Sequence, residues 1–303
     1  MTLGRTAGRT DTGRKRRRNE DVFVLEPPLF AIADGMGGAN AGEVAAGLAA
    51  AALRETEDGG SGEQAVVTLI QEANRRVYQR ATEDAAASGM GTTMTVALLE
   101  DGQVRIGHVG DSRAYLIRDG ELVQLTDDHS LVGELVRSGK LAPEEAESHP
   151  QRSVITRVLG TDPDVDVDTI TVETRTGDLF LLCSDGLYSM VGNDRILELV
   201  ERHRADLDSV AKALISAANK GGGDDNITVV AFEIAAEGET ARVEPDEPSL
   251  DEEEDTLTEI DRVPVVAPET AHDELRPPRA VLVFLALLLV AIAASIVVYL
   301  IVR

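Results

Sequence analysis

Aspartates at the ends of predicted strands give this sequence its clearest chemical signal. Five of them border a short apolar run next to a polar or glycine-containing turn: Asp21, Asp34, Asp111, Asp185 and Asp225. Carboxylates gathered at one rim of a sheet repel one another unless a cation neutralises them. One such aspartate alone is more typical of a turn. Five together, without Cys or clustered His, favour a magnesium or manganese site over zinc or copper.

A run of cations precedes the first of these aspartates and suggests a substrate. The run Arg14–Arg18 lies just before Asn19, Glu20 and Asp21. An arginine beside a two-metal site suits a phosphate ester, because its planar guanidinium binds two phosphoryl oxygens at once. We expect one of the five cations to bind phosphate and the others to form solvated surface.

The elements that would carry these residues occur in blocks rather than as a regular strand–helix repeat. Apolar runs predict strands over 22–25, 30–33, 93–99, 104–109, 114–117, 122–125, 169–172, 179–183 and 227–234. Helical patterns cover 42–54, 64–86, 131–147, 196–203 and 207–219. Gly102 and the Asp119-Gly120 pair mark tight hairpin turns. Successive hairpins with helices between them predict antiparallel sheets covered by helices, an α+β domain.

Composition excludes several functional classes. The chain of 303 residues carries 29 Lys and Arg against 54 Asp and Glu, a net charge of -25. This acidity argues against general affinity for nucleic acid, and four Tyr, five Phe and no Trp offer little surface for base stacking. The one cysteine, Cys183, excludes an internal disulfide framework and cysteine-based zinc sites, which fits a reducing compartment.

The C-terminal part differs in composition from the first 236 residues, which we predict to be one folded domain. The segment 237–279 holds 15 acidic residues, 4 basic residues and six prolines, so we predict a disordered, self-repelling linker. The segment 280–302 has no charge over 23 residues. As a helix it would span about 34 Å, enough to cross a membrane. A buried core helix is the alternative.

The residues that flank this apolar segment predict its orientation. Arg276 and Arg279 precede it and only Arg303 follows it, so the positive-inside rule places the N-terminal side in the cytoplasm. Met1–Asp21 is polar and basic, unlike a signal peptide. We therefore expect a single-pass membrane protein whose catalytic domain faces the cytoplasm.

Six short motifs follow one another along residues 5 to 235. They are Arg16-x-x-Asn19-Glu20-Asp21, Ala33-Asp34-Gly35-Met36-Gly37-Gly38, Gly91-Thr92-Thr93, Gly110-Asp111-Ser112-Arg113, Ser184-Asp185-Gly186-Leu187 and Gly222-Gly223-Asp224-Asp225-Asn226. Any one would be a weak signal, but the ordered set closely resembles the metal-dependent protein phosphatases, the PPM or type 2C serine/threonine phosphatases. The resemblance implies a four-layer α/β/β/α sandwich, with two central antiparallel sheets flanked by helices, to which the segment 280–302 adds one predicted C-terminal transmembrane helix.

The resemblance also implies roles for the residues of a two-metal centre. Asp34 would bridge two Mn²⁺ or Mg²⁺ ions, and Gly35 would contribute its carbonyl oxygen. Asp185 and Asp225 would complete the second ion's shell, with Asp21 close by. The two ions would activate a bridging water for attack on the phosphoryl group, so that no protein nucleophile is needed.

Further positions match a third ion and the phosphate. Asp111 matches a residue that helps to hold a third, weaker ion in bacterial members, and the carbonyl of Ser153 is a candidate ligand there, so two or three ions per subunit are expected. Arg16 matches the phosphate-binding arginine. Cys183 lies inside an apolar strand and is predicted to be a core residue, which disfavours a cysteine-phosphatase mechanism.

One departure from the family concerns the general acid. Many relatives carry a histidine at the place where this sequence has Ala39, and that histidine could protonate the leaving alkoxide. A metal-bound water, or an acidic leaving group such as an aryl phosphate, could replace it. His108 is predicted to be a core residue. His129 and His149 flank the segment 131–152, a flap beside the site in the family, and His149 is a candidate acid.

The leading hypothesis is a phosphoserine/phosphothreonine protein phosphatase similar to the membrane-anchored bacterial enzymes that oppose serine/threonine kinases. Its expected partners are phosphorylated proteins, including such kinases and their substrates, and the membrane, but no nucleic acid; the catalytic domain is expected to be monomeric. A catalytically silent phosphoprotein-binding module is the alternative, although a scaffold does not need five carboxylates. A metal-dependent nuclease or other phosphodiesterase uses similar chemistry but conflicts with the acidity and scarce aromatic residues.

Overall fold

Short strands and helices alternate through the residues that the computed structural model describes, which are 1–37, 41–56, 60–146 and 149–236. The strands in these ranges are β1 (Thr2–Asp11), β2 (Asp21–Glu26), β3 (Leu29–Met36), β4 (Gly91–Thr92), β5 (Met94–Glu100), β6 (Gln103–Val109), β7 (Arg113–Arg118), β8 (Glu121–Gln124), β9 (Asp168–Glu173), β10 (Leu179–Cys183) and β11 (Ile227–Ala235). The α-helices are α1 (Ala41–Glu55), α2 (Glu63–Glu83), α3 (Leu131–Arg137), α4 (Pro143–Ala146), α5 (Asp185–Tyr188), α6 (Asn193–His203) and α7 (Leu207–Gly221).

Two antiparallel sheets lie at the centre of the fold. The first sheet has the strand order β1-β11-β10-β7-β8, and the second has the order β2-β3-β5-β6-β9 with β4 beside β3. Every strand pairing in both sheets is antiparallel. This arrangement confirms the predicted α+β class.

Apolar side chains fill three layers of contact between sheets and helices. Between the two sheets, the ring of Phe232 stacks on Phe30 at 4.1 Å and on Phe180 at 5.0 Å between centroids. Helices α1 and α2 pack on the outer face of the second sheet, where fully buried alanines such as Ala45 and Ala49 let α1 approach β3 closely. Helices α6 and α7 cover the first sheet in the same way. The order helix, sheet, sheet, helix confirms the four-layer sandwich.

The ends of several strands meet at one edge of the sandwich. Asp21, which begins β2, is the register partner of Asp34 near the end of β3. In the other sheet, Cys183 at the end of β10 pairs with Val229 near the start of β11. The turn after β6 and the loop before β11 belong to the same edge, so the strand-end aspartates of the sequence come together there.

Two parts of the sequence fold differently from the prediction. The polar N-terminal segment forms the ten-residue strand β1, which pairs along β11. The predicted helical region 131–147 consists of two short helices, α3 and α4, separated by a turn in which Gly139 has a φ of 70°. A left-handed backbone conformation of this kind ends a helix and favours glycine.

The predicted linker and membrane segment lie outside the described residues. The chain divides into two units, Met1–Glu244 and Pro245–Arg303, and all described residues belong to the first. Within the described ranges, no helix has the length and apolar character needed to span a bilayer.

Candidate metal and phosphate site

Asp21 is a buried carboxylate with one oxygen left without a hydrogen-bond donor. Its Oδ2 accepts hydrogen bonds from Ser184 Oγ at 2.8 Å and from Thr228 Oγ1 at 2.6 Å. Its Oδ1 is buried and has no hydrogen-bond partner. Burial raises the pKa of Asp21 to about 6, which the two hydroxyl donors only partly offset. The unpartnered oxygen is what a cation or a proton would satisfy.

Asp34 is held by the threonines of the β4–β5 segment. The hydroxyl of Thr92 and the backbone N–H of Thr93 donate to its carbonyl at 2.8 and 2.9 Å. Its own N–H donates to Thr93 Oγ1 at 3.0 Å. Burial and the neighbouring Asp21 carboxylate raise the pKa of Asp34 well above its ordinary value. The backbone of this residue is therefore fixed while its carboxylate is left under strong repulsion.

Gly35 is required by the close approach of two backbone segments. A Cβ atom on Gly35 would lie 2.1 Å from the carbonyl oxygen of Gly42 in α1. Its N–H donates to the carbonyl of Glu20 at 3.2 Å. This packing explains the glycine, and the role of its carbonyl as a metal ligand stays a prediction.

Asp185 is the first residue of α5, and only Ser184 separates it from the buried strand β10. Its Oδ1 is buried without a hydrogen-bond partner. Burial, and then the charges of Asp111 and Asp225, raise its pKa well above the ordinary value. A Cβ on Gly186 would lie 2.0 Å from the carbonyl oxygen of Asn226, so the loop before β11 is packed directly against α5. This contact brings Asp185 and Asp225 to the same place.

Asp111 occupies the turn between β6 and β7. Burial raises its pKa to about 7, with a further contribution from the charge of Asp128. The hydroxyl of Tyr188 donates to its carbonyl oxygen at 3.1 Å, which fixes the turn from the side of α5. The guanidinium of Arg113 lies 3.5 Å from the centre of the Tyr188 ring and pairs with Asp128 at 2.7 Å. An arginine stacked on the ring in this way holds the tyrosine in position.

His129 is hydrogen-bonded to Gly110, in the same turn between β6 and β7. Its backbone N–H donates to the carbonyl of Gly110 at 2.7 Å, and its Nδ1 accepts from the N–H of Gly110 at 3.0 Å. Because Nδ1 accepts, the proton of the neutral ring is assigned to Nε2, which lies 3.1 Å from Asp168 Oδ2 and 3.0 Å from Arg157 Nη1. Burial lowers the pKa of His129, which favours this neutral form. The imidazole therefore positions the residue just before Asp111.

His108 is a buried residue with satisfied polar atoms, as predicted. Its side chain is fully buried, with Nδ1 2.9 Å from Thr95 Oγ1 and Nε2 3.1 Å from the carbonyl oxygen of Asp127. Burial and the adjacent His129 ring lower its pKa to about 4. It helps to join the second sheet to the segment that leads into α3.

Arg16 and Asp225 form an ion pair, with Arg16 Nη2 2.6 Å from Asp225 Oδ2. The two residues are brought together by Asn226, whose side chain accepts from the N–H of Glu20 at 2.8 Å and donates to the carbonyl of Arg18 at 2.8 Å. The predicted phosphate-binding arginine thus lies beside a predicted metal ligand, although 209 residues separate them in sequence.

The donor set fits divalent cations. Burial raises the pKa values of four predicted ligands, and the charge of Asp225 contributes to each shift. The four are Asp21, Asp34, Asp111 and Asp185. Two of their oxygens are buried and unpaired. No three carboxylate, imidazole or thiolate groups among the described residues converge on one point, and Asp225 is engaged by Arg16 instead. Buried hard oxygens without soft ligands suit Mn²⁺ or Mg²⁺.

A cavity of about 620 Å³ is lined by two of these carboxylates, Asp111 and Asp185. Helix α3, Arg152 and Ser153 also line it. Ser153 therefore lines the same cavity as Asp111, and coordination by its carbonyl stays a prediction. His149 Nδ1 accepts a hydrogen bond from the N–H of Gln151 at 3.2 Å, within its own turn. Ala39 lies outside the described residues.

Several residues of the site were not assigned a role from the sequence. They are the hydrogen-bonding residues Thr93, Ser184, Asn226 and Thr228, the clamp His129 and the stacked pair Arg113 and Tyr188. Most occur inside or next to the quoted motifs, so the motifs themselves were the available signal. Their partners lie in distant parts of the sequence, and only the fold identifies them.

Known proteins are similar to this domain in both sequence and fold. Residues 18–223 match the family model described as Protein phosphatase 2C. The serine/threonine phosphatase stp of Listeria monocytogenes is 42% identical over 237 residues, which are 74% of this chain and 94% of that protein. The serine/threonine protein phosphatase PstP of Mycobacterium tuberculosis is 42% identical over 233 residues, 76% of this chain and 45% of that protein.

Solved structures agree with these sequence relationships. The crystal structure of the M. tuberculosis serine/threonine phosphatase PstP/Ppp superposes with a TM-score of 0.73 at 41% identity, over 78% of this chain and 100% of the other. The catalytic domain of PstP in complex with 2 manganese ions superposes with a TM-score of 0.71 at 38% identity, over 77% of this chain and 99% of the other.

Proposed function

This chain belongs to the protein phosphatase 2C family and is a serine/threonine protein phosphatase that acts on phosphorylated proteins; we propose that its strand-end aspartates hold the divalent ions of the reaction. The ligands would be Asp34, the carbonyl of Gly35, Asp185 and Asp225, with Asp21 close by. The observation that carries this proposal is the pair of buried carboxylate oxygens, Asp21 Oδ1 and Asp185 Oδ1, that have no hydrogen-bond donor. A silent scaffold has no need for such strained groups.

The bound ions would supply Lewis acidity that activates the attacking water and neutralises charge on the phosphoryl oxygens. The protein's own part is to bind and orient the substrate. Arg16 would bind two phosphoryl oxygens through its guanidinium, beside Asp225. Cys183 takes no part, because burial raises the pKa of its thiol to about 12 and the side chain is inaccessible.

Manganese or magnesium is the cofactor that the donor set favours, and PstP with 2 manganese ions supplies a precedent for two of them. We propose that Asp111, with the carbonyl of Ser153, holds a third and weaker ion. The position of both residues on one cavity supports this assignment. Tyr188 and His129 would hold the Asp111 turn ready for it.

The bound ions would also supply an acidic proton for the leaving group, and acidic leaving groups such as aryl phosphates would not need one. Ala39 cannot act as an acid. The alternative acid His149 already accepts a hydrogen bond within its own turn.

The C-terminal sequence supports a proposal about cellular context. The uncharged segment 280–302 would anchor the protein in the cell membrane, and the acidic segment 237–279 would connect it to a catalytic domain in the cytoplasm. There the enzyme would oppose serine/threonine kinases by acting on them and on their substrates.

The test of the metal assignment is phosphate release from phosphothreonine peptides by the purified full-length protein with Mn²⁺. Asp34→Asn and Asp185→Asn should each lower kcat/KM by at least a hundredfold, because each removes a ligand charge from the centre. Calorimetric titration with Mn²⁺ in the absence of substrate should show weaker binding in the same variants. Unchanged Mn²⁺ affinity in both variants would refute the ligand assignment, whatever the activity.

A further inference from the structure

The loop between β1 and β2 is fixed to the loop that carries Asp225. The backbone N–H groups of Arg14 and Lys15 donate to the carbonyl of Gly223 at 2.7 and 3.2 Å. The side chain of Asn226 donates to the carbonyls of Thr12 and Arg18 at 3.0 and 2.8 Å. The backbone that carries the five cations is therefore held in place at both ends, although their side chains are exposed.

Charge pairing within this loop leaves two of the cations available. Three of the five face a carboxylate, as the pairs Lys15–Asp224, Arg16–Asp225 and Arg18–Glu43 at 2.7, 2.6 and 3.9 Å. Arg14 and Arg17 have no acidic partner within 4.0 Å among the described residues. Arg14 precedes Arg16 by two residues and Arg17 follows it directly, and Asp224, Asp225 and Glu43 are already paired with the other three cations.

The position of Arg14 is set by packing as well as by sequence. A Cβ atom on Gly223 would lie 2.7 Å from Arg14 Cγ, so the aliphatic stem of Arg14 lies against the backbone of Gly223. Arg14 is exposed and lies against the loop that holds Asp225. Arg17 directly follows Arg16, so both free cations are within two residues of the predicted phosphate-binding group.

From this arrangement we propose that Arg14 and Arg17 form a docking surface for acidic residues next to the phosphorylated residue of the substrate. The proposal rests on the proposed function of Arg16 as the phosphate-binding residue. An extended peptide advances about 3.3 Å per residue, and adjacent Cα atoms of the loop are about 3.8 Å apart. The two arginines would therefore meet side chains within about three positions of the phosphoresidue.

The positive charge of this surface is unusual in an acidic protein. Arg14–Arg18 is the longest uninterrupted run of cations in a chain whose net charge is -25. A local positive surface on an acidic protein attracts and orients an anionic partner, and the attraction weakens as salt is added. The preferred substrates would be phosphoserine or phosphothreonine segments rich in Asp and Glu.

The experiment compares two phosphothreonine peptides that differ only in their flanking residues, either acidic or neutral, and uses p-nitrophenyl phosphate as a substrate without flanks. The full-length wild type at low ionic strength should hydrolyse the acidic peptide with kcat/KM about five- to tenfold higher than the neutral one. In the double variant Arg14→Gln/Arg17→Gln the ratio between the two peptides should fall to about one. Added salt should reduce the wild-type ratio and leave that of the double variant unchanged.

A matched control removes the same charge from the opposite end of the domain. Arg175, in the loop before β10, pairs with Asp119 at 4.0 Å, and Arg202, in the last turn of α6, pairs with Glu198. The variant Arg175→Gln/Arg202→Gln should keep the wild-type preference between the peptides.

Two results would overturn the proposal. They are a wild type without preference for the acidic peptide, and a double variant at Arg14 and Arg17 that keeps the preference. Failure to release phosphate from either peptide or from p-nitrophenyl phosphate would instead contradict the proposed function, so the two failures are distinct.

Discussion

Removing the charge of Asp21 should stabilise the metal-free protein, although we propose that the residue lies close to the bound ions. In the variant Asp21→Asn, the amide oxygen can still accept the hydrogen bonds from Ser184 and Thr228, which are 2.8 and 2.6 Å long in the wild type. The amide nitrogen replaces Oδ1, the buried oxygen that has no donor. The substitution thus keeps the two good contacts and removes one charge from a crowded group.

The size of the effect follows from the pKa of Asp21. Burial raises it from 3.8 to about 6. Since one pKa unit corresponds to about 1.4 kcal/mol, the ionised carboxylate costs the folded state about 3 kcal/mol at pH 7. Because the folded pKa is the higher one, stability is greatest below pH 3.8 and is lost as the pH rises through 6. The advantage of Asp21→Asn should therefore shrink to about 0.5 kcal/mol at pH 4.

The assay is thermal unfolding in EDTA at pH 7 and pH 4, followed by circular dichroism. For a domain of this size about 3 kcal/mol corresponds to roughly 6–12 °C, so Asp21→Asn should melt higher than the wild type by that amount at pH 7. Mn²⁺ should reverse or narrow the difference, because a ligand that binds the folded wild type more tightly stabilises it more.

Asp178 provides a control with the opposite expected sign. It is also a buried aspartate, but its carboxylate pairs with Arg118 at 2.6 Å and accepts from the N–H of Arg175 at 2.7 Å. Asp178→Asn should lower the free energy of unfolding by about 1–3 kcal/mol, because it weakens a paired and hydrogen-bonded group. A variant Asp21→Asn that melts no higher than the wild type at pH 7 would refute the view that this carboxylate is electrostatically strained.

Two further predictions concern residues around the centre. His129→Asn places an amide oxygen where Nδ1 accepts from Gly110, whereas His129→Gln places its amide nearer to Asp168 and leaves the Gly110 N–H unpaired. Calorimetric titration should therefore show that the most weakly bound Mn²⁺ ion binds severalfold more weakly in His129→Gln than in His129→Asn. Equal binding in the two variants would contradict the positioning role. Cys183 is buried and its pKa is raised to about 12. Cys183→Ala should therefore keep full phosphatase activity, and iodoacetamide should not inhibit the folded wild type. Rapid inactivation by the reagent would disprove this prediction.

The sequence predicted most strands and helices because their apolar patterns are local. The sequence did not predict strand β1, because the residues on its inward face are small. A Cβ on Gly8 would lie 2.6 Å from the ring of Phe23, so this aromatic side chain of the second sheet fills the space that a large residue would occupy. Such a strand shows no alternation of apolar and polar residues. The strand forms because it pairs with β11, the last strand of the domain in sequence, and no local sequence pattern indicates that pairing.

The sequence predicted which residue types form the candidate site, but it did not predict which of them contact one another. The aspartates stand out because each ends or precedes a strand, and the structure brings Asp21 and Asp34 into register. The ion pair of Arg16 with Asp225 and the hydrogen bonds of Asn226 join segments more than 200 residues apart. Nothing local specifies which carboxylate an arginine will meet, so these contacts depend on how the two sheets are assembled.

The pairing of the first strand with the last determines when a newly made molecule can become active. Thr10 in β1 lies opposite Thr228 in β11, and Asn226 ties the loop of Arg18 to the loop before β11. When Asp21 and Asp34 of a nascent chain have emerged from the ribosome, strand β11, which completes the first sheet, has not yet been synthesised. Pairing of such distant segments is slow and comes late in folding. Phosphatase activity should therefore appear in a single step, after the whole domain has been synthesised, and not gradually during translation.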